Sequence, residues 1–260
     1  MKYDKFSNPR SQIQSLDRAF SLIEILATKK EPIDLKTITE LSGLPKPTVY
    51  RMLTSLEIWG YVRQTPLGYK LGTKFLSLGG IVHDDLEIRK IARPHLKKLN
   101  EDTKETIFLG ILDNDRSLYI DKIDSQHTVR LASKVGTRNY LHSTSLGKCL
   151  LSGLNDTEIN ELINRVGMPA LTKNTIIDFD KFLEAINQVR RMDFAIDDME
   201  NEEGVRCVAA PIKDYQGNII AALSISGPAQ RITDQAIEQK LVPHLVQTAQ
   251  NISKALGHLT

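Results

Sequence analysis

The chain has 260 residues, 41% of them hydrophobic and 25% charged, which excludes a disordered chain and allows one large domain or two. No apolar run nears the ~20 residues of a membrane span, the start MKYDKFSNPRSQIQ has no signal-peptide core, and Cys149 and Cys207 lack zinc or redox spacing, so a reduced, cytoplasmic protein is expected. The net charge of +2 hides an asymmetry, because residues 1–80 carry +5 and the remainder −3, as in a basic nucleic-acid-binding piece on an acidic body.

Residues 1–11 read as a polar tail. Ser15 is a candidate N-cap for a helix with Leu16, Ala19, Phe20, Ile23 and Leu26 on one face. Asp34 can cap a shorter helix, LKTITELSG, with Leu35, Ile38 and Leu41 apolar, and Gly43 suits the left-handed position after it. GLPKPTVYRMLTSLEIWGYV follows. There Val49, Met52, Leu53 and Leu56 form a core-facing stripe, and the opposite face carries Arg51 and Thr54, flanked by Thr48 and Ser55. Pro47 is placed at the first helical position, where a missing N–H costs nothing. YVRQTPLGYKL gives a hairpin around Pro66-Leu67-Gly68. Three helices and a hairpin describe a winged helix-turn-helix over residues 12–75.

A helix can read DNA when one face packs and the other is free, since the major groove admits one helix. Arg51 is the candidate base reader, because guanidinium pairs bidentately with guanine. Thr48, Tyr50, Thr54 and Ser55 are the other candidates on the helix, with Lys46 just before it and Arg63 and Lys70 on the hairpin for phosphates. The plainer reading is an amphipathic helix whose polar face meets water.

Helix resumes from Phe75 to about Asn100, with Pro94 expected to break or restart it, and residues 76–92 are read as a linker helix. Beyond it, TIFLGILD, SLYIDKID and VRLASKVG are strand-like, with a turn at Asn114-Asp115. A helix capped by NDTE, a second over DFDKFLEAINQVRRM, the strand-like FAIDDMEN, a hairpin VRCVAAPIKD/NIIAALSIS and a closing helix near Thr233 complete a domain over residues 93–260.

QSLDRAFSLIEIL, ITELSGLPKPTVYRMLTSLEIWGYV, YKLGTKFLSLG, LHSTSLGKCLL and FAIDDMENEEGVRCVAAPIKDYQGNIIAALSISGP resemble, in order, the IclR family of bacterial transcription regulators. Pro47 departs from the family's usual PKST-like string, which removes a hydroxyl that could cap or touch phosphate. TKETIFLGILDNDRSLYIDKIDS resembles the branch that includes the ketodeoxygluconate repressor. The resemblance implies an α+β protein, a winged helix-turn-helix joined by a linker helix to a GAF-like α/β effector domain. It also implies operator DNA and a small organic acid or sugar acid as partners, a homodimer or dimer of dimers, and repression of a sugar-acid catabolic operon.

For the effector, the residues offer Ser145, Leu146 and Gly147 at a helix start, where backbone N–H groups favour a carboxylate and Gly147 lets a ligand approach closely. Ser224 and Ser226 share one strand face. Asp197 and Cys207 correspond to pocket positions of the family, Asp197 as acceptor for sugar hydroxyls. The plainer readings are solvent-facing serines, Cys207 as a small buried hydrophobe, and Asp197 in a solvated acidic stretch. An enzyme remains as the alternative, a hydrolase with Cys149 or Ser145 as nucleophile and His142 as base, although no nucleophile elbow is present. A protein-binding adaptor is a third reading. His83, His142, Cys149 and the acidic cluster have no metal-site spacing, and no cofactor is expected.

Overall fold

The computed structural model describes residues 13–85 and 87–258, with backbone alone for 80–85; the N-terminal tail and the His83 side chain lie outside the described parts. Two compact units divide between Asp85 and residue 86, inside the span read as linker.

The first unit contains α1 (Gln14–Ala27), α2 (Leu35–Ser42), α3 (Lys46–Ile58), the hairpin β1 (Val62–Thr65) and β2 (Gly68–Leu71), and α4 (Lys74–Asp85). Asp34 caps α2 by accepting from the N–H groups of Lys36 and Thr37, and Gly43 ends it at φ 66°. In α3 the expected stripe holds, with Val49 and Leu53 fully buried and Met52 and Leu56 packed against them. Pro45 is the N-cap and Lys46 the first helical residue, so Pro47 stands second rather than first. Its missing N–H still falls among the four that a helix start leaves without an internal acceptor.

The expected face of α1 is rotated. Leu22, Ile25 and Leu26 enter the core, whereas Leu16 and Phe20 are exposed, and Ile13 rather than Ser15 precedes the first turn. The helix is apolar around more than one stripe, and periodicity alone cannot choose between them. The wing pairs Arg63 with Lys70 across β1 and β2. Tyr69 exchanges backbone hydrogen bonds with Ile33, and a Cβ on Gly68 would stand 2.4 Å from the Ile33 carbonyl.

The second unit begins with α5 (Glu87–Thr103) and contains β3 (Thr106–Asp113), β4 (Arg116–Ile123), β5 (Arg138–Asn139), α6 (Ser145–Leu151), α7 (Asp156–Val166), α8 (Phe179–Met192), β6 (Ala195–Asp198), β7 (Val205–Lys213) and β8 (Ile219–Pro228). The chain ends in α9 (Asp234–Ala236), a π-turn (Ile237–Leu241) and α10 (Val242–Ala255). The sheet runs β5-β4-β3-β8-β7-β6, every neighbouring pair antiparallel. Strand alternation builds two cores. Ile107, Leu109, Leu223 and Ile225 face Leu96, Leu99, Leu245 and Ile252 of α5 and α10; Phe108, Ala209 and Ala222 face Leu146, Leu150, Ile163 and Phe182 of α6, α7 and α8.

Pro94 does not break its helix. It lies inside α5 on an exposed face, so the Lys90 carbonyl that it leaves without a donor points to water, while Ala92, Leu96 and Leu99 hold the helix by burial. VRLASKVG is not a strand: residues 129–136 are irregular, because Val129 and Val135 are exposed and there is no apolar face to bury. The NDTE cap is a complete capping box between Asn155 and Glu158. Among the described residues no helix is long and apolar enough to cross a membrane.

Candidate functional site

In the first unit, the buried stripe of α3 turns Pro47, Arg51 and Thr54 away from the core, with Tyr50 and Ser55 beside them. Lys46, Tyr50, Arg51, Thr54, Ser55 and Arg63 are exposed, and Thr48 and Lys70 are half-buried. This is one continuous polar face with two cations on the neighbouring hairpin. The hydroxyls are partly committed: Thr54 Oγ1 donates to the Tyr50 carbonyl and Ser55 Oγ to the Arg51 carbonyl, both at 3.0 Å. Their oxygens remain free to accept, which suits the amino groups of adenine or cytosine, whereas donation to phosphate requires a rotamer change. Thr48, Arg51 and Ser55 also border a groove with Leu16, Met52 and Trp59.

In the second unit, sheet register assembles the other candidates. Asp197 pairs with Cys207, and Cys207 with Ser226, so β6, β7 and β8 place the three in one row. Ser224 stands one pleat along the same face, its Oγ 3.3 Å from that of Ser226. Both serines are buried beneath α6 rather than solvent-facing. Ser145 and Leu146 from the start of α6, Thr144, Asn201, Glu202 and the stacked pair Phe108–Tyr119 close the pocket. Its interior is only about 30 Å³, room for a water or two.

Gly147 does not line this pocket. A Cβ there would lie 2.2 Å from the Leu141 carbonyl, so the glycine lets α6 pack against its own lead-in rather than a ligand approach. The Gly147 N–H is taken by Thr144 Oγ1 at 3.0 Å. The N–H groups of Ser145 and Leu146, first in the helix, have no intrahelical acceptor.

Asp197 is buried and accepts from the Glu200 N–H at 2.8 Å. Burial pushes its carboxyl up to about 7, against the opposing pull of that N–H and of Lys148. Burial beside Asp197 pushes the Cys207 thiol up, so it stays protonated. The rim is latched: Ser143 Oγ donates to Asn201 at 3.0 Å, Thr175 Oγ1 to the Glu200 carbonyl at 2.7 Å, and Lys148 Nζ reaches Glu200 at 2.5 Å. Apart from Leu146 and Cys207, the walls named in advance were the hydroxyls and the one carboxylate. Phe108 and Tyr119 of the walls were missed, as was Lys148 of the ion pair behind the rim, whose place in the apolar run SLGKCLL was the available signal.

The structure removes Cys149 from the hydrolase alternative. Cys149 is fully buried in the apolar core, and burial pushes its thiol up, away from the reactive thiolate. His142 is also buried, its Nε2 is 3.1 Å from the Pro169 carbonyl, and burial lowers its pKa so that it is neutral. Among the described residues no three His, Cys, Asp or Glu side chains converge as for a metal.

Comparison with known proteins agrees with this division. Residues 15–66 match the model of the IclR helix-turn-helix domain, and residues 81–254 that of the bacterial transcriptional regulator IclR C-terminal domain. The chain is 33% identical over 248 residues to the HTH-type transcriptional regulator XynR of Escherichia coli, covering 95% of this chain and 98% of that one. It is 34% identical over 248 residues to KdgR of the same organism, covering 95% and 94%. The crystal structure of the Thermotoga maritima IclR superposes with a TM-score of 0.76 at 30% identity, covering 94% of this chain and 99% of that one. These relatives are DNA-binding regulators rather than enzymes.

Proposed function

The chain belongs to the IclR family of bacterial transcription regulators, and on that premise we propose that it represses a sugar-acid catabolic operon under control of a small hydroxylated carboxylic acid. The observation that carries the effector half is the row Asp197–Cys207–Ser226 with Ser224 beside it, facing the start of α6. The effector carboxylate meets the N–H groups of Ser145 and Leu146. Its keto or hydroxyl oxygens meet Ser224 and Ser226, and a further hydroxyl meets Asp197. No lysine or arginine lines the pocket, so an anion is held there by backbone and hydroxyl dipoles, and a protonated Asp197 avoids repelling it.

A sugar acid does not fit the closed cavity. Binding therefore selects a form in which residues 126–136 and 199–205 lift, and the effector shifts population only by its preference for that form. Tyr119 of the pocket wall lies on β4 two residues before Asp121, which is paired with Arg93 and, at 3.5 Å, with Arg89 of α5. This strand gives a path from pocket to residues 76–92, the span through which the proposed switch reaches the reading helix. Repression by a homodimer or dimer of dimers places reading helices about 34 Å apart, or a multiple, on a palindromic operator. The test is fluorescence anisotropy of operator DNA with 2-keto-3-deoxygluconate as probe. Release at saturating probe supports the reading; unchanged binding across sugar acids and keto acids overturns the effector assignment.

A further inference from the structure

The wing is tied along both of its outer edges. A ribbon of two four-residue strands is marginal in water by itself, so its direction depends on what those edges are joined to. Along β2 the tie is backbone: the Ile33 N–H donates to the Tyr69 carbonyl at 2.9 Å, and the Tyr69 N–H to the Ile33 carbonyl at 2.8 Å. Gln64 stands opposite Tyr69, so its backbone groups point outward from β1, where no third strand follows among the described residues. There the Gln64 N–H donates to Glu57 Oε1 at 2.9 Å. Glu57 lies in the last turn of α3, three residues beyond Thr54. Its carboxylate therefore joins the open edge of the wing to the reading helix itself.

The same register fixes what this tie holds in place. Val62 and Tyr69 are buried, so alternation turns Arg63 and Lys70 to the opposite face of the ribbon. The two stand directly across from each other, a like-charge pair that destabilises the ribbon until an anion meets it. We propose that Glu57 is a positioning residue for DNA binding: it holds the wing in the direction in which Arg63 and Lys70 meet the phosphates beside the groove that α3 enters. An acid on a DNA-facing helix repels phosphate, and the N–H that Glu57 accepts explains its place there. Without it, β1 keeps only its ladder to β2, the ribbon turns about the Ile33 side, and each binding event must reorder the wing. One hydrogen bond of ordinary strength shifts that population by about fivefold. The inference rests on the reading of Arg63 and Lys70 as phosphate contacts.

The test compares Glu57→Gln with Glu57→Ala, which both remove the charge and differ in whether an acceptor remains. Fluorescence anisotropy reads their binding to a duplex that the parent protein selects from a random-sequence pool, with and without Arg63→Ala plus Lys70→Ala. Glu57→Gln is expected to bind about fivefold more tightly than Glu57→Ala when the wing is intact, and equally when Arg63 and Lys70 are gone. Amide hydrogen exchange is expected to find Gln64 protected in the parent and in Glu57→Gln, and open in Glu57→Ala. Equal binding by the two variants with the wing intact would overturn the proposal. So would a ratio that survives without Arg63 and Lys70, since Glu57 would then only steady α3. Both failures leave the phosphate reading standing. Unchanged affinity and salt dependence in Arg63→Ala plus Lys70→Ala alone would overturn that reading and the proposal with it.

Discussion

The two candidate sites are built in opposite ways. The reading face of α3 is made of side chains that the fold leaves alone: the core takes Val49 and Leu53, and what remains is Arg51, Thr54 and their neighbours. The candidate effector pocket is made of side chains buried together, whose neighbours are set by strand register. In the proposed function one site meets a large, charged, rigid partner, and the other must open before a partner of a dozen atoms can enter. Substitutions at the first should therefore change DNA affinity with little effect on stability, whereas those around the second should change stability as well as response.

The largest expected effect is at Lys148. Lys148→Ala leaves Glu200 buried without its counter-ion, and should cost ~3–5 kcal/mol of unfolding free energy in urea titration; a loss under 1 kcal/mol would mean that the pair is solvated and the pocket rim soft. Arg51→Ala should cost ~1–3 kcal/mol of operator binding and relax specificity at one base pair, with the urea midpoint unchanged. Equal binding of mutant and parent to operator and scrambled DNA would remove Arg51 from base reading. Asp34→Ala, which removes the cap of α2, should lower the thermal midpoint slightly, and an unchanged midpoint would mean that the cap contributes nothing.

A pH dependence of stability is expected as well. The folded-state value of Asp197, about 7, lies above its ordinary 3.8, so the folded form binds the proton more tightly. Its contribution to stability is whole below about pH 4 and is lost as pH rises through about 7. The parent should lose thermal stability between pH 5 and pH 8 relative to Asp197→Asn, and parallel profiles would contradict the burial argument. A carboxylate effector should also bind more weakly as pH rises past 7.

The same contrast explains what was legible in the sequence. The winged helix could be read because its determinants are local: Asp34 and Gly43 bound α2, and the 3,4-spaced stripe orients α3. Even there, α1 was turned wrongly, because Leu16 and Phe20 make a second apolar stripe that local spacing cannot rank. In the C-terminal unit, Ser224 and Ser226 were visible by alternation, but the face they share is a property of the sheet. Gly147 was assigned to ligand approach, when the Leu141 backbone is what demands it. Pro94 was read as a breaker because its exposure is not written in its neighbours. Lys148 and Glu200 are 52 residues apart, and only the fold brings them together.

The central claim is that a pocket sealed by α6 and β8 governs DNA binding. The direct measurement is operator anisotropy during titration with 2-keto-3-deoxygluconate, for the parent and for Ser224→Ala combined with Ser226→Ala. Each lost hydrogen bond is worth about 1 kcal/mol. The variant should bind operator as the parent does without probe, yet need at least tenfold more probe for half-release. Half-release at the same concentration in both proteins would contradict the account.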